Sequence, residues 1–199
     1  MLSSADKLQK RLFDIVLSVG AIFLTWWLML LAWIVASVET KSNGLFMQER
    51  IGKEGKPFWI FKIKTMKRVE GVNTSVTTSD DSRITKSGMF FRKTKIDELP
   101  QLFNVLWGSM SFVGPRPDVA GFADMLEGED RIILSIRPGI TGPASLKYKD
   151  EEALLAKQSY PESYNKDVIW KDKVKLNKMY VENWSFKKDM GYIIKTTLG

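Results

Sequence analysis

An uncharged apolar run near the N-terminus constrains this chain more than any other feature. Residues 15–38 contain no Asp, Glu, Lys or Arg, and a run of about 18–20 apolar residues can cross the hydrocarbon core of a bilayer. A cleaved signal peptide is not expected, because the run is too long and no small-residue cleavage site follows it. The run therefore predicts a transmembrane helix, a helix that enters the membrane and returns on the same side, or a buried core helix.

Basic residues flank the run on both sides: Lys7, Lys10 and Arg11 before it, and Lys41, Arg50, Lys53 and Lys56 after it. Cations collect on the cytoplasmic side of membrane helices, so neither flank is marked as translocated and the symmetry favours re-entry. A re-entrant helix must bend, and in the absence of a proline we expect the bend between Gly20 and Trp27. Asp14 lies one turn after Lys10 and Arg11, and the spacing predicts an ion pair with them.

The remaining sequence predicts an α+β, mainly helical domain over residues 41–199, joined to a membrane-associated helix over 1–40. A small β-hairpin is predicted with strands at 45–48 and 57–64 around the polar loop 49–56, followed by an aperiodic loop at 68–83. Apolar spacing from Leu99 predicts a helix with Asp97 near its N-cap and Pro100 in its first turn. Further helices are predicted at about 118–127, 150–158, 166–183 and 186–198. The last of these is amphipathic and basic, and it either lies on a bilayer surface or closes the soluble core.

The chain contains no His and no Cys, which leaves carboxylates, lysines, hydroxyls and phenols for covalent, acid–base or metal chemistry. The adjacent pair Asp97 and Glu98 is the leading candidate. Its hard oxygen ligands suit Mg²⁺, which commonly bridges one or two carboxylates and a substrate phosphate. An Asp-Glu pair at a helix start is also an ordinary cap, so the pair does not identify a site on its own.

The formal net charge of +7 predicts an anionic partner. Two proline-fixed turns, residues 114–117 and 137–142, present Arg116 and Arg137, and the guanidinium fork matches phosphate oxygens. Together with Lys62, Lys64 and Arg92, these arginines predict a diphosphate site near the acid pair. No nucleic-acid recognition module is visible, and the apolar helix argues against such a partner.

A series of short motifs carries a more specific signal, because they occur in a fixed order along the chain. They are Lys10-Arg11-Leu-Phe-Asp14, the apolar helix, Gln48-Glu-Arg-Ile-Gly52, Phe61-Lys-Ile-Lys-Thr-Met66, Asp81-Ser-Arg-Ile-Thr85, Asp97-Glu-Leu-Pro-Gln101, Gly114-Pro-Arg-Pro117 and Arg137-Pro-Gly-Ile-Thr-Gly142. In this order, from about residue 8 to residue 197, the chain resembles the small monotopic phosphoglycosyl transferases of the bacterial sugar transferase family.

The resemblance implies a membrane enzyme that moves a phosphosugar from a UDP-sugar to polyprenyl (undecaprenyl) phosphate and so starts a surface glycan. It implies the bacterial inner membrane, with the catalytic domain on the cytoplasmic side, and it leaves a homodimer open. Asp97 would be the nucleophile and a Mg²⁺ ligand, and Glu98 its catalytic partner. The phosphate or nucleotide ligands would be Arg116, Arg137, Lys62, Lys64 and Arg92.

The chain departs from the family pattern in places. Leu24-Thr-Trp-Trp27 replaces a common Ser-Pro break in the apolar helix, and the stretch 143–168 begins with Pro143-Ala-Ser145 and resembles an insertion. The choice of sugar therefore does not follow from the resemblance. A non-catalytic, membrane-tethered protein that binds nucleotides or anionic lipids is the alternative, and an intact acid pair with both arginine turns favours the enzyme.

Overall fold

The computed structural model describes residues 2–67 and 81–198, so most of the loop predicted at 68–83 lies outside the described residues. The structure is mainly helical, with a small antiparallel sheet as predicted. The α-helices are α1 (Ser4–Thr40), α2 (Lys86–Thr94), α3 (Gln101–Trp107), α4 (Pro143–Lys147), α5 (Glu151–Ala156), α6 (Pro161–Tyr164), α7 (Trp170–Glu182) and α8 (Phe186–Leu198). The strands are β1 (Leu45–Ile51), β2 (Pro57–Ile63), β3 (Ser111–Val113) and β4 (Gly139–Thr141).

Helix α1 is long and apolar enough to cross a membrane, and it is uninterrupted from end to end. No interruption of the helix marks the bend predicted between Gly20 and Trp27, and re-entry stays a prediction. No proline removes a backbone donor in this stretch, and the hydroxyl of Thr25 donates to the Ala21 carbonyl of the same helix at 2.7 Å. The helix begins with a capping box, in which Ser3 Oγ accepts from the Asp6 amide and the Asp6 carboxylate accepts from the Ser3 amide.

Both ends of α1 contact the same domain. Near its start, Arg11 donates to the carbonyls of Val105 and Leu106 at the end of α3, at 2.6 and 2.7 Å. Near its end, Ala32 and Ala36 are buried in a cluster with Ile63 and Phe91. The other side of the helix exposes large apolar side chains: Leu12, Val16, Val19, Phe23, Leu24, Trp26, Trp27, Leu30 and Leu31. The domain therefore covers one face of α1 at both ends of the helix.

The predicted ion pair of Asp14 with Lys10 and Arg11 is wrong. Lys10 instead pairs with Asp189 of α8, at 2.5 Å between Nζ and Oδ2. Asp14 accepts from the Ser111 hydroxyl and the Phe112 amide, at 3.1 and 3.0 Å. Asp189 lies far away in sequence, so helical spacing could not reveal the pairing. The consequence is that two buried acids fix the start of α1 to β3 and to the C-terminal helix.

The β-hairpin forms as predicted, with Leu45 opposite Ile63 and Ile51 opposite Pro57, although β1 extends three residues beyond its predicted end at 48. Asn104 of α3 fastens the helix to β2. Its side-chain oxygen accepts from the Phe61 amide at 3.1 Å, and its side-chain nitrogen donates to the Trp59 carbonyl at 2.7 Å. These two bonds set the position of Lys62, the next residue along the strand, relative to α3.

A short parallel pairing of β3 with β4 was not predicted, because each strand has only three residues. It brings the two arginine turns together: the Gly139 amide donates to the Pro115 carbonyl at 2.8 Å. A Cβ built on Gly139 would lie 2.1 Å from the Gly114 amide nitrogen, so the approach requires a residue without a side chain. The turn that carries Arg116 is thereby held against the turn that follows Arg137.

The C-terminal third agrees largely with expectation. Helices α5, α7 and α8 correspond to the predictions at 150–158, 166–183 and 186–198, with α6 and a π-helical turn (Asn165–Ile169) leading into α7. The helix predicted at 118–127 is wrong, because only a 3₁₀ turn, Ala123–Met125, forms there. Tyr192 and Ile193 of α8 pack against a buried core cluster, whereas Ile194 and Leu198 are exposed. Helix α8 thus closes part of the core and leaves its end uncovered.

The contacts at both ends of α1 generate a topology prediction. Cysteines placed singly at Ser4 and Ser82, both exposed, should lie on the same side of the membrane, since the domain holds both ends of the helix. We expect a membrane-impermeant thiol reagent to treat the two variants alike in intact cells and to label both after permeabilisation. Labelling of one site but not the other in intact cells would mean that α1 crosses the bilayer away from the domain.

Candidate active site

Asp97 lies in a 3₁₀ turn, Ile96–Glu98, between α2 and α3. Asp97 was predicted near the N-cap of the following helix, with Pro100 in the first turn; α3 instead begins at Gln101, and Pro100 occupies the cap position three residues after Asp97. Asp97 is buried, and no donor among the described residues reaches its Oδ1 atom. Buried carboxylate oxygens are normally hydrogen-bonded, and an unpaired one calls for a reason such as a ligand or a metal.

Glu98 gathers two cations beside Asp97. Its Oε1 accepts from Lys62 Nζ of β2 at 3.2 Å and from Arg116 Nη2 of the turn 114–117 at 2.7 Å. Only 12% of the Glu98 side chain is exposed, against 42% for Arg116. The pairing therefore has a sheltered carboxylate and an arginine whose remaining N–H groups are open to a ligand.

The pKa values of the two adjacent acids are shifted in opposite directions. Burial, reinforced by the charge of Glu98, raises the pKa of Asp97 to about 6. Burial also favours a higher pKa for Glu98, but Arg116 and Lys62 outweigh it and hold that pKa well below its ordinary value. Neighbouring carboxyl groups with divergent pKa values are typical of active sites. At neutral pH Glu98 is a fixed anion, and Asp97 is an ionised carboxylate whose charge is poorly compensated.

The structure places Arg92 near the acid pair as well. Its positive charge acts on Asp97, after those of Lys62 and Lys95, and its guanidinium pairs with Glu152 of α5. The charges of Lys62, Arg92 and Arg116 are thus near Asp97 and Glu98, and their role as phosphate ligands stays a prediction. Glu152, within the stretch 143–168, thus places a carboxylate close to the acid pair.

Lys64 and Arg137 are not brought to this cluster. Lys64 donates to the Ser42 hydroxyl at 2.7 Å, in the connection between α1 and β1. Arg137 donates from Nε to the Gly108 carbonyl at 2.7 Å, just beyond the end of α3. Neither residue is among the charges that perturb Asp97 or Glu98 most. Their predicted role as phosphate ligands has no geometric support at the acid pair.

A second group of charges, not predicted from the sequence, adjoins Arg116. Burial raises the pKa of Asp118 to about 6, against the opposing effect of Lys173 and Arg50. Lys173 of α7 pairs with Glu151 of α5 at 2.7 Å. Arg50 was visible within the motif at 48–52, but nothing in the sequence linked Asp118 or α7 to the acid pair. The charged site therefore extends from Asp97 through Arg116 to α5 and α7.

A divalent cation fits this site only through a small number of protein ligands. No cluster of three or more Asp or Glu side chains able to hold a metal occurs in residues 2–67 and 81–198. Asp97 nevertheless offers one unpartnered carboxylate oxygen, and Mg²⁺ commonly takes one or two carboxylates and completes its shell with phosphate oxygens and water. Asp97 is the residue that would hold the ion.

The sequence over residues 5–199 matches the family model described as bacterial sugar transferase. The chain belongs to the bacterial sugar transferase family. The match spans both α1 and the domain that carries the acid pair, so all of the described structure except residues 2–4 lies within the family region.

Relatives support the same assignment. A Bacillus subtilis protein named uncharacterized sugar transferase EpsL is 33% identical over 94% of this chain and 84% of its own length. UDP-glucose:undecaprenyl-phosphate glucose-1-phosphate transferases of Caulobacter vibrioides and Escherichia coli are 33% and 34% identical over 96% and 98% of this chain. The chain spans 69% of the Caulobacter protein but only 40% of the Escherichia coli protein. This family member therefore corresponds to one part of the longer relative.

The raised pKa of Asp97 predicts that this sugar transferase is destabilised by its own acid pair. At pH 8, Asp97→Asn should raise the free energy of unfolding by about 1–3 kcal/mol, because it removes a buried and poorly compensated charge. The gain should shrink as the pH falls through about 6, where the wild-type carboxyl takes up a proton in the folded state, and vanish below about 4.

Thermal unfolding of the two proteins in the same detergent, from pH 4 to pH 8, would measure this effect. Asp167→Asn is the matched control, since Asp167 is exposed and surface substitutions usually change stability by less than about 0.5 kcal/mol. A melting temperature for Asp97→Asn below that of the wild type at pH 8 would contradict the raised pKa of Asp97.

Proposed function

We propose that this chain transfers a sugar 1-phosphate from a UDP-sugar to polyprenyl (undecaprenyl) phosphate through a covalent aspartyl-phosphosugar intermediate. The reaction would start a surface glycan at the cytoplasmic face of the bacterial inner membrane. The transfer itself is the activity named for the Caulobacter and Escherichia coli relatives, and the route through Asp97 is argued from the site.

The observation that carries the proposal is the unpartnered oxygen of Asp97. A carboxylate is a weak nucleophile when its lone pairs are tied up in hydrogen bonds, and Oδ1 of Asp97 has no donor among the described residues. Its pKa of about 6 keeps the group largely ionised at neutral pH, while burial leaves the charge poorly solvated. Both properties suit attack on phosphorus.

The cations held by Glu98 supply the complementary electrostatics. Lys62 and Arg116 lie beside the nucleophile because both donate to Glu98. A diphosphate that reaches Asp97 would bring negative oxygens to the same place, and preorganised donors stabilise the charge that builds up during phosphoryl transfer. Glu98 would then act by positioning these two cations, since its low pKa prevents it from serving as an acid.

The chemistry balances without an added proton donor. In the first step a carboxylate oxygen of Asp97 attacks the β-phosphorus of the UDP-sugar, and the bond from that phosphorus to the bridging oxygen breaks, so UMP leaves with the electron pair. In the second step an oxygen of polyprenyl phosphate attacks the same phosphorus. The bond to Asp97 then breaks, which regenerates the carboxylate and yields a polyprenyl diphosphate sugar.

The apolar helix fits a lipid acceptor. Helix α1 exposes a face of large apolar side chains and is fixed at both ends to the domain that carries Asp97. A polyprenyl phosphate has a hydrocarbon chain that stays in the bilayer, so its phosphate can reach only a site held at the membrane surface. A lipid-embedded α1 would hold the site there.

A non-catalytic binder of nucleotides or anionic lipids is the second candidate. Its basis is the set of cations at the site, which would bind phosphate with or without turnover. The unpartnered Asp97 disfavours it, because a buried carboxylate that faces a phosphate without reacting would only weaken binding by charge repulsion.

Replacement of the nucleophile separates the two candidates. We expect Asp97→Asn to abolish UMP release when UDP-sugars and undecaprenyl phosphate are supplied in detergent, because the amide cannot form the phosphosugar ester. The Asp167→Asn control should retain full activity. Wild-type protein mixed with UDP-sugar alone should gain the mass of one phosphosugar, and the Asp97→Asn variant should not. UMP release by a folded Asp97→Asn variant would refute the aspartyl intermediate.

Metal removal tests the predicted Mg²⁺. When bound, the ion would offset negative charge on the diphosphate and on the departing UMP, and Asp97 alone would hold it only weakly in the absence of substrate. Activity should fall at least tenfold after exhaustive EDTA treatment, since a hydrogen bond or charge contact worth about 1.4 kcal/mol already changes a rate tenfold. Mg²⁺ or Mn²⁺ should restore it, whereas full activity in EDTA would exclude a metal requirement.

A further inference from the structure

A cavity of about 200 Å³ lies between the tip of the β-hairpin and the end of α3. Its lining is rich in cations: Lys53 and Lys56 come from the hairpin tip, and Arg137 comes from the turn that precedes β4. Gly108 and Ser109 form the opposite wall. None of these cations belongs to the cluster at Asp97 and Glu98, so the cavity is a separate feature of the molecule.

A second arginine reinforces the positive charge. Arg11 of α1 lies against Gly108: a Cβ atom added to that glycine would be only 3.2 Å from Arg11 Nη2. Arg137 Nε donates to the carbonyl of the same glycine, so both guanidinium groups lie against Gly108. Both are fastened by backbone carbonyls, of Val105 and Leu106 for Arg11 and of Gly108 for Arg137.

The cavity is short of acidic partners. Neither Arg11 nor Arg137 forms an ion pair with a carboxylate in the part of the chain that the structure describes. Glu54 contacts Lys53 and Lys56 at 3.0 and 3.2 Å, and one carboxylate cannot neutralise four cations. Clustered like charges held by the fold are costly unless an anion joins them, and the guanidinium fork is suited to phosphate oxygens.

The surroundings indicate where that anion comes from. Arg11 precedes the uncharged run of α1 by less than one and a half turns. Trp107, next to Gly108, exposes 67% of its surface, and tryptophan is typical of the interface between membrane and water. Basic pockets beside membrane helices bind anionic headgroups. We propose that the cavity lined by Lys53, Lys56 and Arg137 binds the phosphate group of an anionic membrane phospholipid.

The assignment gives Arg137 a role apart from the diphosphate site, where the sequence had placed it. A phospholipid phosphate held between the hairpin tip, α1 and the end of α3 would join three elements that also support Lys62 and the acid pair. The lipid would thus fix the height of the domain on the membrane surface.

Native mass spectrometry of the full-length protein in detergent tests the proposal with short-chain phosphatidylglycerol and phosphatidylcholine as probes. Wild-type protein should retain phosphatidylglycerol in preference to phosphatidylcholine. The double variant Lys53→Gln, Lys56→Gln should lose about tenfold or more in phosphatidylglycerol affinity, because each cation near a headgroup contributes on the order of 1 kcal/mol. Arg137→Gln removes one cation and should lose about fivefold in affinity, and the double lysine variant at the exposed hairpin tip still tests the proposal if Arg137→Gln folds poorly.

The matched control is Lys171→Gln, Lys175→Gln on the exposed surface of α7, which removes the same net charge and should leave lipid binding unchanged. Equal retention of the two lipids, or equal loss in the control and test variants, would overturn the proposal. Displacement of the lipid by millimolar inorganic phosphate would show a site for free phosphate and overturn the lipid assignment. Asp97→Asn should bind lipid normally, so failure of this site and failure of the proposed catalysis are distinguishable.

Discussion

The carboxylate of Glu98 is the interaction on which the candidate site depends. It joins the 3₁₀ turn Ile96–Glu98 to Lys62 on β2 and to Arg116 in the turn that the parallel β3–β4 pair supports. Loss of either cation would leave a sheltered charge partly uncompensated, and breaking a buried pair in this way is strongly destabilising. Three separate segments are therefore held together at Glu98, and Asp97 is the residue immediately before it.

Because Lys62 and Arg116 both donate to Glu98, neither donates a hydrogen bond to Oδ1 of Asp97. The same charge that draws Lys62 and Arg116 into place also raises the pKa of Asp97, in addition to the effect of burial. The protein accepts an unsatisfied carboxylate in its interior, which is costly unless something else repays it. The Asp97 carboxylate lowers stability, and Lys62 and Arg116 beside it can donate to a phosphate. This combination is more typical of an active site than of a helix cap.

Local sequence patterns predicted most of the helices and strands, but they did not predict which side chains contact each other across the fold. Spacing of apolar residues located the hairpin, α7 and α8, because one-face burial leaves a periodic trace in the sequence. Arg137 and Lys64 were predicted to meet the acid pair, yet Arg137 reaches the Gly108 carbonyl and Lys64 reaches Ser42. The β3–β4 pair and the connection after α1 determine the directions of the Arg137 and Lys64 side chains. Such tertiary contacts leave no local signal in the sequence. The continuous α1 follows the same logic, since the contacts that hold both of its ends come from distant segments.

The stretch 143–168, which the sequence predicts to be an insertion, places two carboxylates next to cations of the candidate site. Its helix α5 directs Glu151 to Lys173 and Glu152 to Arg92, so two cations around the acid pair and Asp118 already have anionic partners. An incoming diphosphate gains from such a cation only the difference between its own hydrogen bonds and those it replaces. Lys62 and Arg116 share a single carboxylate oxygen and have donors to spare. A diphosphate would therefore bind more favourably on the side of the site where Asp97 lies, and the carboxylates of α5 would lie near the rest of the proposed substrate.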